Sequence, residues 1–138
     1  MTSSQDEELA AASEHYHSGK DALDAGDAAG AIRHLEASFR AWPHFKTAEL
    51  LGEALAGTGR TKEAVGYLAA AVGLGNKAFR ARYLLAQCLI TLNQKADAYR
   101  LLKEALELAP QFKKARELLE RLSQEEEIRS LIASEQQG

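Results

Sequence analysis

Phe45-Lys46-Thr47-Ala48-Glu49-Leu50-Leu51 is echoed twice further along the chain, as Phe79-Arg80-Ala81-Arg82-Tyr83-Leu84-Leu85 and as Phe112-Lys113-Lys114-Ala115-Arg116-Glu117-Leu118-Leu119. The opening phenylalanines stand 34 and 33 residues apart. Repetition at such a period determines the architecture before any single motif does.

Small residues keep the same register. Gly19, Gly52 and Ala86 correspond, as do Ala31, Ala64 and Ala98, then Ser38, Ala71 and Ala105, with Leu35, Leu68 and Leu102 as the large apolar counterpart. The spacing predicts two antiparallel helices per unit. Leu51 and Leu55, or Leu85 and Leu89, share one face of the first helix; Ala64, Leu68 and Ala71, or Ala98, Leu102 and Ala105, share one face of the second. Gly26, Gly59 and Asn93 fall between the helices of each pair, where a left-handed residue ends the first helix. Pro43, Asn76 and Pro110 fall just before the next unit and act as breakers. The small residues allow the paired helices to approach closely.

In this pattern the chain resembles the tetratricopeptide repeat family, whose unit of about 34 residues has small residues at positions eight, twenty and twenty-seven and proline at thirty-two. Three units match, at about residues 12–44, 45–78 and 79–111, followed by a capping helix at 112–122. The aromatic common at position four is replaced by His15, Ala48 and Arg82, and Asn76 replaces the proline of the second unit. Leu119 stands where the other units have Gly19, Gly52 or Ala86, so no second helix is expected to pack closely behind the cap. The resemblance implies an all-α, right-handed α-α solenoid of three helix-turn-helix repeats plus a C-terminal capping helix. Residues 1–11 extend the first helix, with Ser4 and Glu7 forming a capping-box pattern. Residues 123–138 form an acidic and apolar tail. It is expected either to prolong the capping helix or to dock in a basic groove.

Composition agrees. The 26 Ala and 20 Leu, against 2 Pro and 7% aromatics, favour helices over strands. A length of 138 residues leaves no room for a second large core, and a formal charge of -3 supplies no global positive field for a phosphate backbone. Nucleic acid is not an expected partner. The one cysteine, Cys88, makes no internal disulfide, so a reducing cytoplasmic location is expected. The N-terminus lacks the pattern of a signal peptide, and no apolar run is long enough to insert in a membrane.

No set of chemically reactive residues converges in the sequence. His15 and His17 diverge by about 200 degrees around a helix and cannot grip one ion together. His34 and His44 lack partners at zinc-site spacing. Neither Gly57-Thr58-Gly59-Arg60 nor Gly73-Leu74-Gly75-Asn76-Lys77 has the spacing of a phosphate loop; both read as helix-ending turns. Cys88 reads as a small buried thiol, and Trp42, beside Pro43, as a seal on the first loop. No catalytic residue, metal or cofactor is expected.

In the resembling family the first helix of each pair lines a concave surface that receives a peptide or partner helix. Carried onto this sequence, those positions are Ser13, Tyr16 and Lys20; Lys46, Glu49 and Glu53; Arg80, Tyr83 and Gln87; with Lys113 and Arg116 from the capping helix. Five are basic and two acidic, and Lys46, Arg80 and Lys113 make a basic row at repeat spacing. The expected ligand is a peptide carrying carboxylates beside apolar side chains, with Tyr16 and Tyr83 supplying contact area. Some family members clamp a terminal carboxylate with Lys and Asn. The matching positions are Tyr16, Lys20, Leu50, Arg80 and Leu84, which retain two basic residues and no Asn, so that mode is not expected. The sequence thus points to a noncatalytic protein interaction scaffold or adaptor. The alternatives are a secretion-type chaperone shielding apolar segments of an export substrate, and a self-associating, homodimeric assembly element.

Overall fold

The structure, a computed structural model, describes residues 3–137. The described residues form eight helices and no strand: α1 (Ser3–Asp24), α2 (Ala28–Ala41), α3 (Phe45–Gly57), α4 (Thr61–Leu74), α5 (Phe79–Thr91), α6 (Lys95–Leu108), α7 (Lys113–Ser123) and α8 (Glu126–Gln137). They divide into two compact units, one ending at Asn76 and one beginning at Lys77. No described helix is long and apolar enough to cross a membrane.

Each helix pair closes on the same turn. The N–H groups of Asp27, Arg60 and Gln94 donate to the carbonyls of Ala22, Leu55 and Leu89 at 2.8, 2.9 and 2.7 Å. This six-residue closure needs a left-handed residue just inside it. Gly26, Gly59 and Asn93 supply it, with φ of 79°, 82° and 61°. The first pair has a further cap, the Asp27 carboxylate accepting from the Gly30 N–H at 2.9 Å.

In the first unit, α1 pairs with α2 and α3 with α4, and α2 also packs on α3. Leu35, Leu51, Leu55 and Leu68 are fully buried. Close approach depends on the small residues opposite them: a Cβ on Gly19 would stand 2.6 Å from Leu35 Cγ. Ser38 is buried with its hydroxyl donating to the Ala12 carbonyl at 2.7 Å, which ties the end of α2 to α1. Position four is polar in the first repeat, and its side chain still bridges the pair: His15 of α1 meets His34 of α2 through their Nδ1 atoms at 3.2 Å.

In the second unit, α5 pairs with α6, and α6 packs on α7. Arg82, at position four here, reaches Glu104 of α6 at 3.1 Å. Phe112 receives the edges of Phe79 and Tyr83, with ring centroids 5.3 and 5.1 Å away. The chain then departs from three expectations. Ser4 lies inside α1, which runs unbroken from Ser3, so it is not the helix cap. The run Gln5–Ala11 is made of good helix formers with acidic residues at the favoured end, so nothing stops the helix at Ser4. A helix does follow α7, although none was expected. The tail, in turn, neither prolongs α7 nor enters the first-helix face. The chain turns at Gln124 and Glu125, and α8 leans on α6 and α7, with Ile128 fully buried. The polar contacts of this turn and of α8 go to α6: Lys95 to Glu125 of the turn, and Tyr99 and Lys103 to Glu135 of α8.

Candidate functional site

In the first unit the residues from the first-helix face and those near the α2–α3 connection meet around one cavity of about 340 Å³. α1 contributes Leu9, Ala12, Ser13 and Tyr16 along one face, the successive turns that a spacing of three or four residues brings together. α2 contributes Ser38 and ends at Trp42. His44, Lys46 and Thr47 close the far side from the start of α3.

Trp42 corrects the sequence reading. It is the C-cap of α2, in an extended backbone conformation with φ -153° and ψ 96°, and its side chain is exposed rather than packed down as a seal. It remains 43% exposed and forms a wall of the cavity, as does Leu9 at 49%. Large apolar side chains held half in water are the informative exception in a folded chain. Leu9 belongs to the turns of α1 that precede the first repeat. Their position in the extension explains why repeat matching passed over it.

The cavity is apolar on its walls and basic at its rim. His44 is the N-cap of α3, and its Nδ1 accepts the Lys46 N–H at 3.1 Å. A neutral imidazole that accepts at Nδ1 carries its proton on Nε2, which is then a donor. The His44 ring stacks on Phe45 at 4.9 Å between centroids. The Lys46 ammonium lies 5.9 Å from the same ring and, among the described residues, pairs with no carboxylate. No acidic residue lines the cavity.

Of the groove positions taken from the sequence, Ser13, Tyr16 and Lys46 are thus brought together. Lys20 is exposed on α1 outside the cavity. Glu49 is buried and Glu53 half-buried, and both have interaction partners. In the second unit Arg80 is half-buried and likewise engaged, whereas Lys113 is exposed. Tyr83 packs on Phe112, and its hydroxyl accepts from Gln87 Nε2 at 3.1 Å. Arg116 donates to the Pro110 carbonyl.

Cys88 is a free, buried thiol whose pKa burial pushes up, so the nucleophilic thiolate is disfavoured. The sequence sets His15 beside His17 and leaves His34 without a partner, and so misses the pair that forms, His15 with His34. The repeat register, which sets α1 against α2 at these positions, was the signal that could have found it. Among the described residues no group of three or more His, Cys, Asp or Glu could hold a metal ion.

Two family models, both described as tetratricopeptide repeat, match residues 16–79 and 55–122. No curated protein matches the chain by sequence. Among solved structures, the tetratricopeptide repeat domain of Arabidopsis OM64 aligns with a TM-score of 0.82 at 17% identity, covering 85% of this chain and 98% of that one. The first such domain of Spaghetti (RPAP3), bound to the HSP90 peptide SRMEEVD, aligns at 0.81 and 20% identity, covering 84% and 93%. The TPR2B domain of yeast Sti1, in a complex with pHsp70, aligns at 0.78 and 20% identity, covering 83% and 97%. These likenesses show the fold class, an all-α helical solenoid of helix-turn-helix repeats.

Proposed function

The chain belongs to the tetratricopeptide repeat family, and on that premise we propose that it is a noncatalytic interaction scaffold or adaptor that takes a peptide or partner helix on the first-helix faces of its repeats. The observation that carries this reading is the open cavity of the first unit, where Tyr16 and Lys46, two residues of the expected binding face, stand beside exposed Leu9 and Trp42. Two of the similar domains were solved with partners, one with an HSP90 peptide and one in a pHsp70 complex, which supports a peptide as the class of ligand.

The proposed residue set is Ser13, Tyr16, Lys20 and Lys46 of the first unit, flanked by Glu49 and Glu53, and, as a face of its own, Arg80, Tyr83, Gln87, Lys113 and Arg116 of the second. Its basic excess favours a partner bearing carboxylates, with charge setting on-rate and specificity more than affinity. Nucleic acid is not proposed as a partner of a chain with net charge -3. Action in the cytoplasm accords with a fold whose only cysteine is a buried free thiol.

Lys46 and Lys113 are both exposed, so reversing them tests the reading without disturbing the core. Capture from the native lysate at low salt is expected to retain a protein with wild type and lose it with Lys46→Glu, Lys113→Glu. Identical retention by both proteins would overturn the basic-face reading.

A further inference from the structure

We infer that the cavity of the first unit is an anchor pocket for one large apolar side chain, aromatic or branched, that has a carboxylate beside it in the same peptide. The inference rests on the reading of the chain as a peptide-binding scaffold and narrows it to one place and one sequence chemistry.

Size comes first. About 340 Å³ lies at the lower end of ligand sites, which run from about 300 to 1,000 Å³, and suits a side chain better than a whole cofactor. The walls set the chemistry. Trp42 and Leu9 remain substantially exposed although both are large and apolar, and Tyr16 joins them in lining the open cavity. Aromatic walls of this kind lose little conformational entropy when a side chain seats against them. The rim fixes polarity: Lys46 and the Nε2–H of His44 are donors, and no lining residue is acidic. A carboxylate next to the anchored side chain meets complementary charge there, whereas a cationic neighbour meets repulsion. The second unit does not duplicate the site, because its aromatic residues Phe79, Tyr83 and Phe112 pack on one another.

Trp42 is the only tryptophan in the chain, so its emission reports occupancy of the pocket directly. The probe is the blocked pentapeptide acetyl-Ala-Glu-Phe-Glu-Ala-amide, titrated into the full chain at low salt. A saturable change in Trp42 emission is expected, weakened at least about tenfold when Ala replaces the Phe or Gln replaces both Glu. Ser13→Phe, which fills the cavity from an exposed helix position, and Lys46→Glu are expected to weaken binding similarly, with Lys62→Glu, at an exposed position of α4, unchanged. Circular dichroism identical to wild type shows that these variants remain folded. Equal response to the Phe and Ala peptides, or binding that survives Ser13→Phe, overturns the anchor pocket. If the pentapeptide fails while lysate capture still depends on Lys46 and Lys113, the scaffold reading stands and the anchor falls. Concentration-dependent dimers without peptide, abolished by Ser13→Phe, would assign the pocket to a second copy and also overturn the proposal.

Discussion

Leu68 covers Gly52 so closely that a methyl group on that glycine would stand 2.6 Å from Leu68 Cδ2. Leu68 is fully buried and has no free space to retreat into. Gly52→Ala therefore sets a helix-propensity gain of about 1 kcal/mol against an overpacking cost of about 1–3 kcal/mol. Net destabilisation is expected in urea unfolding. Gly66, in the exposed interior of α4, has nothing within 4 Å of an added Cβ, so Gly66→Ala is expected to stabilise by about 0.5–1 kcal/mol. Shifts of the same sign in both variants would contradict this account.

The His15–His34 contact at 3.2 Å, with ring centroids 5.4 Å apart, fits one N–H donating to one lone pair across α1 and α2. Replacing one partner leaves the other half-buried and unsatisfied. His34→Leu is expected to cost about 1–3 kcal/mol. The double variant His15→Leu, His34→Leu should recover part of that loss, giving a coupling energy measurable in a double-mutant cycle. Additive effects would remove the hydrogen bond from the stability of the pair.

Burial raises the Cys88 pKa, because the charged thiolate is disfavoured there. The unfolded chain deprotonates first as pH rises, so this contribution to stability is intact below the ordinary thiol pKa and is lost above it. A thiol reagent should modify the native protein slowly at neutral pH and rapidly in denaturant. Cys88→Ala should flatten the fall in stability as pH rises past about 8.5. Rapid labelling of native protein would show that Cys88 is open to solvent.

Truncation after Ser123 removes α8, including fully buried Ile128 and the Glu135 contact of Tyr99. The second unit is expected to melt earlier, and Ile128→Ala alone should cost about 2–5 kcal/mol. Binding at the cavity of the first unit should be unaffected, since α8 rests on α6 and α7. A truncation that sharpened peptide affinity would mean that α8 competes for the binding face.

The repeat was legible because each of its determinants is local. Gly26, Gly59 and Asn93 were recognisable as left-handed turn residues from identity and spacing alone, and their φ values agree. Gly19 and Gly52 were readable as close-approach positions for the same reason. Leu9, Trp42 and the His15–His34 pair were not legible in the same way. Their roles depend on where a neighbouring helix ends and which rotamer remains in water, and neither follows from a period. α8 was misread as a prolonged α7 because Ile128, Leu131 and Ile132 keep helical spacing and no glycine or proline marks the turn at Gln124 and Glu125, whereas burial of Ile128 against α6 and α7 decided the outcome.

The boundary at Asn76 has a consequence for synthesis on the ribosome. The helices whose leucines enclose one another in the first unit are complete once residue 76 has been added. Contacts between sequence neighbours form quickly and can propagate from one end of a repeat array. The first unit can therefore close on its own core while Lys77 onward is still in the exit tunnel, and the cavity beside Trp42 takes shape before the chain is finished.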